Sequence, residues 1–138
     1  MVRNEGHVRG ELSEFKVASD LVERGCRVSY THGQYPYDLI ADLDGQILKT
    51  QVKTANHMDR RKYQLLNLGG YNAADVDLFA GYAPDPEDTI VYVPFDKAGD
   101  TFRVTFTPAD ELSDHNEEQA ILAEDHTFDD AISSLSAN

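Results

Sequence analysis

The chain has almost no sulfur chemistry, little lysine and no long apolar run. Cys26 is the single cysteine in 138 residues, so no internal disulfide can form and a disulfide scaffold is excluded. No apolar stretch approaches the ~20 residues of a membrane-spanning helix. The opening Met1-Val2-Arg3-Asn4-Glu5 lacks the apolar core of a secretory signal. The expectation is a soluble, cytoplasmic protein with no membrane partner. Apolar residues make up 41% of the chain, lean but sufficient for one compact core. A chain of this length needs neither disulfide nor metal to hold that core together.

Only 12 residues are Lys or Arg, against 25 Asp and Glu, for a net charge of −13. The excess acid is confined to the second half. Residues 1–62 are nearly balanced, with ten basic and nine acidic residues, whereas residues 63–138 hold two basic and sixteen acidic. Such acidity ordinarily argues against a polyanionic partner. Two readings fit it: an acidic tail that repels nucleic acid or binds a basic partner, or adaptation to a very salty cytoplasm. In about 1 M salt the Debye length falls to roughly 3 Å, and the objection to a nucleic-acid partner disappears. The scarcity of lysine favours the halophilic reading.

Periodicity predicts a helix over residues 8–24, with Leu12, Phe15, Ala18 or Ser19, Leu21 and Val22 facing inwards and Gly25 as the stop. Strands are expected at Cys26–Tyr30, Tyr37–Leu43 and Gln46–Thr54, the last two joined by an Asp44-Gly45 hairpin turn. Further strands are expected at Tyr63–Leu68, Val76–Ala83, Thr89–Phe95 and Phe102–Phe106. Short surface helices are expected at Glu117–Glu124 and Phe128–Leu135. The pattern defines a mixed α/β fold. Residues 1–110 read as the folded domain, and residues 111–138 as an acidic segment, either part of that domain or a partly ordered tail.

Chemistry concentrates in Pro36-Tyr37-Asp38 and Gln51-Val52-Lys53-Thr54. Side chains alternate along a strand, so Gln51 and Lys53 share one face while Leu48, Thr50 and Val52 take the other. The hairpin brings Asp38 beside Gln51 and Lys53. An acid, an amide and an amine at one end of a hairpin suit metal-assisted phosphodiester hydrolysis. Mg²⁺ prefers oxygen ligands: one or two carboxylates, water and substrate phosphate. Asp38 would be the main ligand and Gln51 a second. Lys53 would orient or deprotonate the attacking water, or stabilise charge on the phosphoryl oxygens. A further acid is expected from the first helix, at Glu14 or Glu11. On spacing alone, Gln51 and Lys53 also suit a solvated strand edge, and Asp38 a turn residue.

Residues Gly10 to Pro94, about 60% of the chain, resemble the PD-(D/E)XK nuclease superfamily, in particular the branch containing a group I intron homing endonuclease. The resemblance lies in Gly10-Glu11-Leu12-Ser13-Glu14, Leu21 with Arg24-Gly25, Pro36-Tyr37-Asp38-Leu39-Ile40 and Gln51-Val52-Lys53-Thr54-Ala55. It continues through Asp75-Val76-Asp77-Leu78-Phe79-Ala80, Tyr82 and Val91-Tyr92-Val93-Pro94. It implies a restriction-endonuclease-like fold, a central mixed β-sheet flanked by helices. It also implies a Mg²⁺-dependent (or Mn²⁺-dependent) DNA endonuclease that hydrolyses phosphodiester bonds by a metal-activated water and leaves a 5′-phosphate. In this resemblance Asp38 and Glu14 are catalytic metal ligands, and Lys53 is the catalytic lysine. Gln51 stands where most of the superfamily has Glu or Asp, which leaves the site one negative charge poorer. The alternatives are a Holliday-junction resolvase acting on branched DNA and a non-catalytic nucleic-acid-binding module. A homodimer or higher homo-oligomer is expected because one site cuts one strand.

Arg60-Arg61-Lys62 is the only dense basic cluster, a candidate contact for a phosphate backbone. His7, His32, His57, His115 and His126 show no metal-ligand spacing and are expected at the surface. Cys26 is expected to be a small core residue, and Tyr71 and Tyr82 to pack against the sheet.

Overall fold

The structure, a computed structural model, describes residues 4–112 and 120–136. Helix α1 (Glu5–Glu23) begins earlier than its apolar spacing predicts because Asn4 caps it. The Asn4 side chain accepts from the Gly6 and His7 amides at 2.8 and 3.4 Å, and so satisfies donors that a helix start leaves orphaned. Gly25, at φ 96°, turns the chain out after Arg24.

The rotation of α1 differs from expectation. Ser13, Val17, Ala18 and Leu21 are buried, whereas Leu12, Phe15 and Val22 are 54, 55 and 57% exposed. The cause is a polar contact: Ser13 Oγ lies 2.5 Å from Thr54 Oγ1, at the end of β3 (Gln46–Thr54). That bond and the small Ala18 let the helix approach the sheet on a face that side-chain size alone does not single out.

The central sheet has the order β1 (Arg27–Tyr30), β2 (Leu39–Leu43), β3, β6 (Leu78–Ala83), β7 (Thr89–Pro94). All its neighbours pair antiparallel except β3 and β6. Asp44 and Gly45 form the β2–β3 turn at φ 50° and 94°, the left-handed pair that a two-residue hairpin needs. Between β3 and β6 the chain builds a second, antiparallel sheet from β4 (Asn56–Asp59) and β5 (Lys62–Leu65), completed by β8 (Phe102–Thr105). Strand β4 was not expected, because Asn56-His57-Met58-Asp59 is polar, exposed along most of its length and shows no alternation. The strand expected at Tyr63–Leu68 runs from Lys62 to Leu65, and Asn67 then takes φ 61°. Phe95 leaves β7 to start the four-residue helix α2 (Phe95–Ala98).

Two cores result. Val17, Leu21, Leu39, Leu48, Val52 and Tyr92 pack with Phe128 and Ala131 of α3 (Phe128–Ser136) on one face of the sheet. Leu65, Val76, Phe79, Val91, Val93 and Phe102 pack between the other face and the small sheet. Strand β6 is buried along its whole length, as befits a strand covered on both sides. Gly81 permits a close approach of the two layers: a Cβ there would lie 2.5 Å from Cδ2 of the fully buried Leu65.

Helix α3 is amphipathic and packs on β7 rather than lying on the surface, and Thr127 caps it through reciprocal bonds with Asp130. The helix expected at Glu117–Glu124 lies partly outside the described residues. From Ala120 the chain forms instead a parallel bridge, Thr105 with Leu122, and a 3₁₀ turn, Ala123–Asp125. Among the described residues no helix is long and apolar enough to cross a membrane.

Candidate active site

Strand β3 is central, flanked by β2 and β6, so Gln51 and Lys53 do not stand on a solvated sheet edge. Leu48, Thr50 and Val52 are buried, while Lys49, Gln51 and Lys53 alternate with them and are half-buried. The segment before β6 overlooks that second face. Lys49 Nζ donates to the Ala74 carbonyl, and Lys53 Nζ sits 5.0 Å from the Tyr71 ring centroid. Tyr71 is itself held edge-on against Phe79 at 5.5 Å.

Asp38 immediately precedes β2 and is locked into the β2–β3 ladder. Its amide donates to the Thr50 carbonyl at 3.0 Å, and its Oδ2 accepts from the Val52 amide at 3.1 Å. Its carbonyl accepts from the Thr31 amide at 3.1 Å, which ties down the loop from β1. The carboxylate is therefore positioned by main chain on both sides. Burial raises the Asp38 carboxyl above its ordinary value, against the Val52 N–H and the Lys53 charge, which hold it down. Lys53 is thus electrostatically coupled to Asp38.

Glu14 follows Ser13, and the Ser13–Thr54 bond brings it to the end of β3 that carries Lys53. Burial raises the Glu14 carboxyl, and so do the charges of Asp38 and Glu11. The charge of the expected strand acid, Asp38, is thus among the causes that raise the expected helix acid, Glu14. Asp38, Gln51, Lys53 and Glu14 come from three elements to one region. Sequence reasoning passed over Tyr71 as a partner of Lys53 and Ser13 as the residue that docks α1. A serine on the inner face of a helix was the available signal for the second.

The donor set fits a hard divalent cation. Two half-buried carboxylates, with the charge of one raising the pKa of the other, repel in a way that such an ion relieves, and Gln51 can add an amide oxygen. No group of three or more His, Cys, Asp or Glu among the described residues forms a ready-made metal cage. Water and substrate phosphate would complete the shell, as magnesium-type sites prefer.

Arg60, Arg61 and Lys62 fall at the β4–β5 turn, beyond the end of β3 rather than within the acidic site. Arg61 is held by both oxygens of Glu87, at 2.6 and 3.1 Å, and the Glu87 side chain is 6% exposed. Cys26 is buried, as expected. His126 departs from the expected surface position: it is half-buried, edge-on to Phe102 at 5.0 Å, and burial lowers its pKa. His115 lies outside the described residues.

The family described as PD-(D/E)XK endonuclease matches residues 4–129. The chain belongs to that family. Its fold is similar to that of a bacterial homing endonuclease, I-Ssp6803I, with a TM-score of 0.64 at 20% identity over 77% of this chain and 79% of the other. A Holliday junction resolvase, Hjc of Archaeoglobus fulgidus, matches with a TM-score of 0.48 at 14% identity over 70% of this chain and 84% of that one. Among curated proteins none matches the chain. The fold is restriction-endonuclease-like: a central mixed sheet with helices packed on it.

Proposed function

We propose that this protein is a Mg²⁺-dependent DNA endonuclease, with Mn²⁺ as a working substitute, that hydrolyses phosphodiester bonds. The observation that carries the reading is the 3.1 Å bond from the Val52 amide to Asp38 Oδ2, which sets this carboxylate against the central strand at the residue between Gln51 and Lys53. Asp38, Glu14 and the Gln51 amide oxygen would hold the ion. When bound, that ion polarises the phosphate and lowers the pKa of an attacking water. Lys53 would orient or deprotonate that water, or stabilise the charge developing on the phosphoryl oxygens. In the overall reaction an O–P bond forms from water and the P–O3′ bond breaks, which leaves a 5′-phosphate and a 3′-hydroxyl. Asp38 is held by three bonds to main chain, so it is already in position when substrate arrives.

The basic turn Arg60-Arg61-Lys62 is the proposed backbone contact, with Arg61 held by Glu87 to position the turn and Arg60 and Lys62 left to meet phosphate, and two copies of the chain would serve the two strands of a duplex. Purified protein with Mg²⁺ in concentrated KCl should nick plasmid DNA, and Lys53→Ala should remove the activity while circular dichroism shows the fold intact. Cleavage that survives Lys53→Ala would sink the assignment. Cutting of a four-way junction in preference to linear duplex would identify a resolvase, and DNA binding without cutting would identify a non-catalytic module.

The net charge of −13 and the five lysines support a salt-adapted protein. Unscreened carboxylates repel one another, so the melting temperature should rise steadily from dilute to molar KCl. A flat dependence would defeat that reading.

A further inference from the structure

A cleft of about 540 Å³ opens beyond the end of β3. Its walls are the start of α1 with Arg9, the chain from Ala55 to His57, the β4–β5 turn with Arg60 and Arg61, and the Pro84–Glu87 turn. Arg60 occupies φ 55° in a two-residue hairpin turn, a conformation that favours Gly, Asn or Asp and costs an arginine backbone strain. The turn is pinned there: His57 Nε2 lies 2.6 Å from the Arg60 carbonyl oxygen, and the Phe106 amide donates to the Arg61 carbonyl at 2.8 Å. Arg61 is already paired with both oxygens of Glu87, so its charge serves to hold the wall. Arg9 and Arg60, both exposed, make no ion pair with any described carboxylate. Asp85 is the remaining acid at the rim.

We infer that this cleft is a binding site for the backbone phosphate next to the scissile one on the same DNA strand, clamped between Arg9 and Arg60. The site rests on the nuclease reading, and it deepens that reading. Ala55 is two residues beyond Lys53, so a strand whose phosphate lies at Lys53 meets the cleft at the next positions of its backbone. Arg9 lies one turn before Ser13 on a helix already fastened to β3, and Arg60 reaches in from the small sheet. The strained turn is explained by the position it gives Arg60: a relaxed residue there would keep the hairpin and lose the cation. His57 is a positioning residue that acts through the Arg60 main chain.

The test measures binding of a labelled DNA duplex to the full chain in EDTA, as a function of KCl over the range in which circular dichroism shows it folded. Arg9→Ala and Arg60→Gly should each weaken binding and lower the slope of log K against log salt by about 0.9, the signature of one phosphate contact. Arg60→Gly should also melt no lower than the unsubstituted chain, because glycine relaxes the turn. A fall in affinity without a fall in stability separates a ligand from a structural residue. Unchanged affinity and slope in both variants, with plasmid cleavage intact, would overturn the cleft and leave the nuclease reading standing. No DNA binding or cleavage by the unsubstituted chain would overturn both.

Discussion

Among the described residues two hairpins have two-residue turns, and they obey opposite rules. The β2–β3 turn uses Asp44-Gly45, residues that accept φ 50° and 94° with little strain. The β4–β5 turn uses Arg60-Arg61 and forces an arginine to φ 55°. The first hairpin builds the central strand and the lock on Asp38, and its local chemistry agrees with the fold throughout. The second is polar, exposed and locally unfavourable, and it is held in place by His57 from within the hairpin and by Phe106 and Glu87 from outside it. Agreement with local rules marks a scaffold, and a pinned violation marks a place where position matters more than stability.

This contrast can be broken most forcefully at the base of the first hairpin. Asp38→Asn should lower cleavage at least about a hundredfold, the scale of losing one preorganised charged group, with little change in the folded spectrum. A loss of under about tenfold would mean that the hairpin serves only the fold.

The next test concerns how the second hairpin docks on the sheet. Gly81→Ala would drive a Cβ into Leu65 of β5, and overpacking of this kind costs about 1–3 kcal/mol. Denaturant unfolding should show that loss. A neutral result would mean that the small sheet sits loosely.

The turns themselves should respond with opposite signs. Gly45→Ala places a Cβ at φ 94° and should cost about 1–2 kcal/mol, whereas Arg60→Gly should gain about 0.5–1 kcal/mol. Equal signs in the two variants would erase the distinction.

The smallest effect is a pH dependence. Asp38 and Glu14 both have raised carboxyl pKa values, chiefly through burial. A raised value favours the protonated folded state, so their contribution to stability is full below the ordinary values of 3.8 and 4.5. It is lost as pH rises through the folded values. Without divalent ion, the chain should therefore gain stability from these groups on acidification just above the ordinary carboxylate range. If both act as the proposed metal ligands, cleavage should fail from the same pH downwards. The difference in melting temperature between the unsubstituted chain and Asp38→Asn, followed against pH in EDTA, isolates the effect. A difference that does not vary with pH would refute it.

The first hairpin was legible in the sequence because alternation, turn residues and spacing all agreed. Strand β3 lies at the expected residues, 46–54, and the face shared by Gln51 and Lys53 is the expected one. The rotation of α1 was not legible. Leu12, Phe15 and Val22 form the larger apolar stripe, and only a tertiary bond between Ser13 and Thr54 selects the other face. Strand β4 was invisible for a related reason: its residues gain their conformation from pairing with β5 and carry little preference of their own. The contact of Tyr71 with Lys53 spans a loop whose path no local pattern encodes.

The stretch from Ala120 to Ser136 touches both layers of the molecule. Thr105 of the small sheet donates its amide to the Ile121 carbonyl, and Tyr92 of the central sheet donates its amide to the His126 carbonyl. Phe128 then fills the core against Tyr92, ring centroids 5.3 Å apart. This ribbon laces the edges of the two sheets together. Loss of residues 120–136 would unfasten both edges at once, so this stretch ties the two layers together through main chain as well as through its apolar side chains.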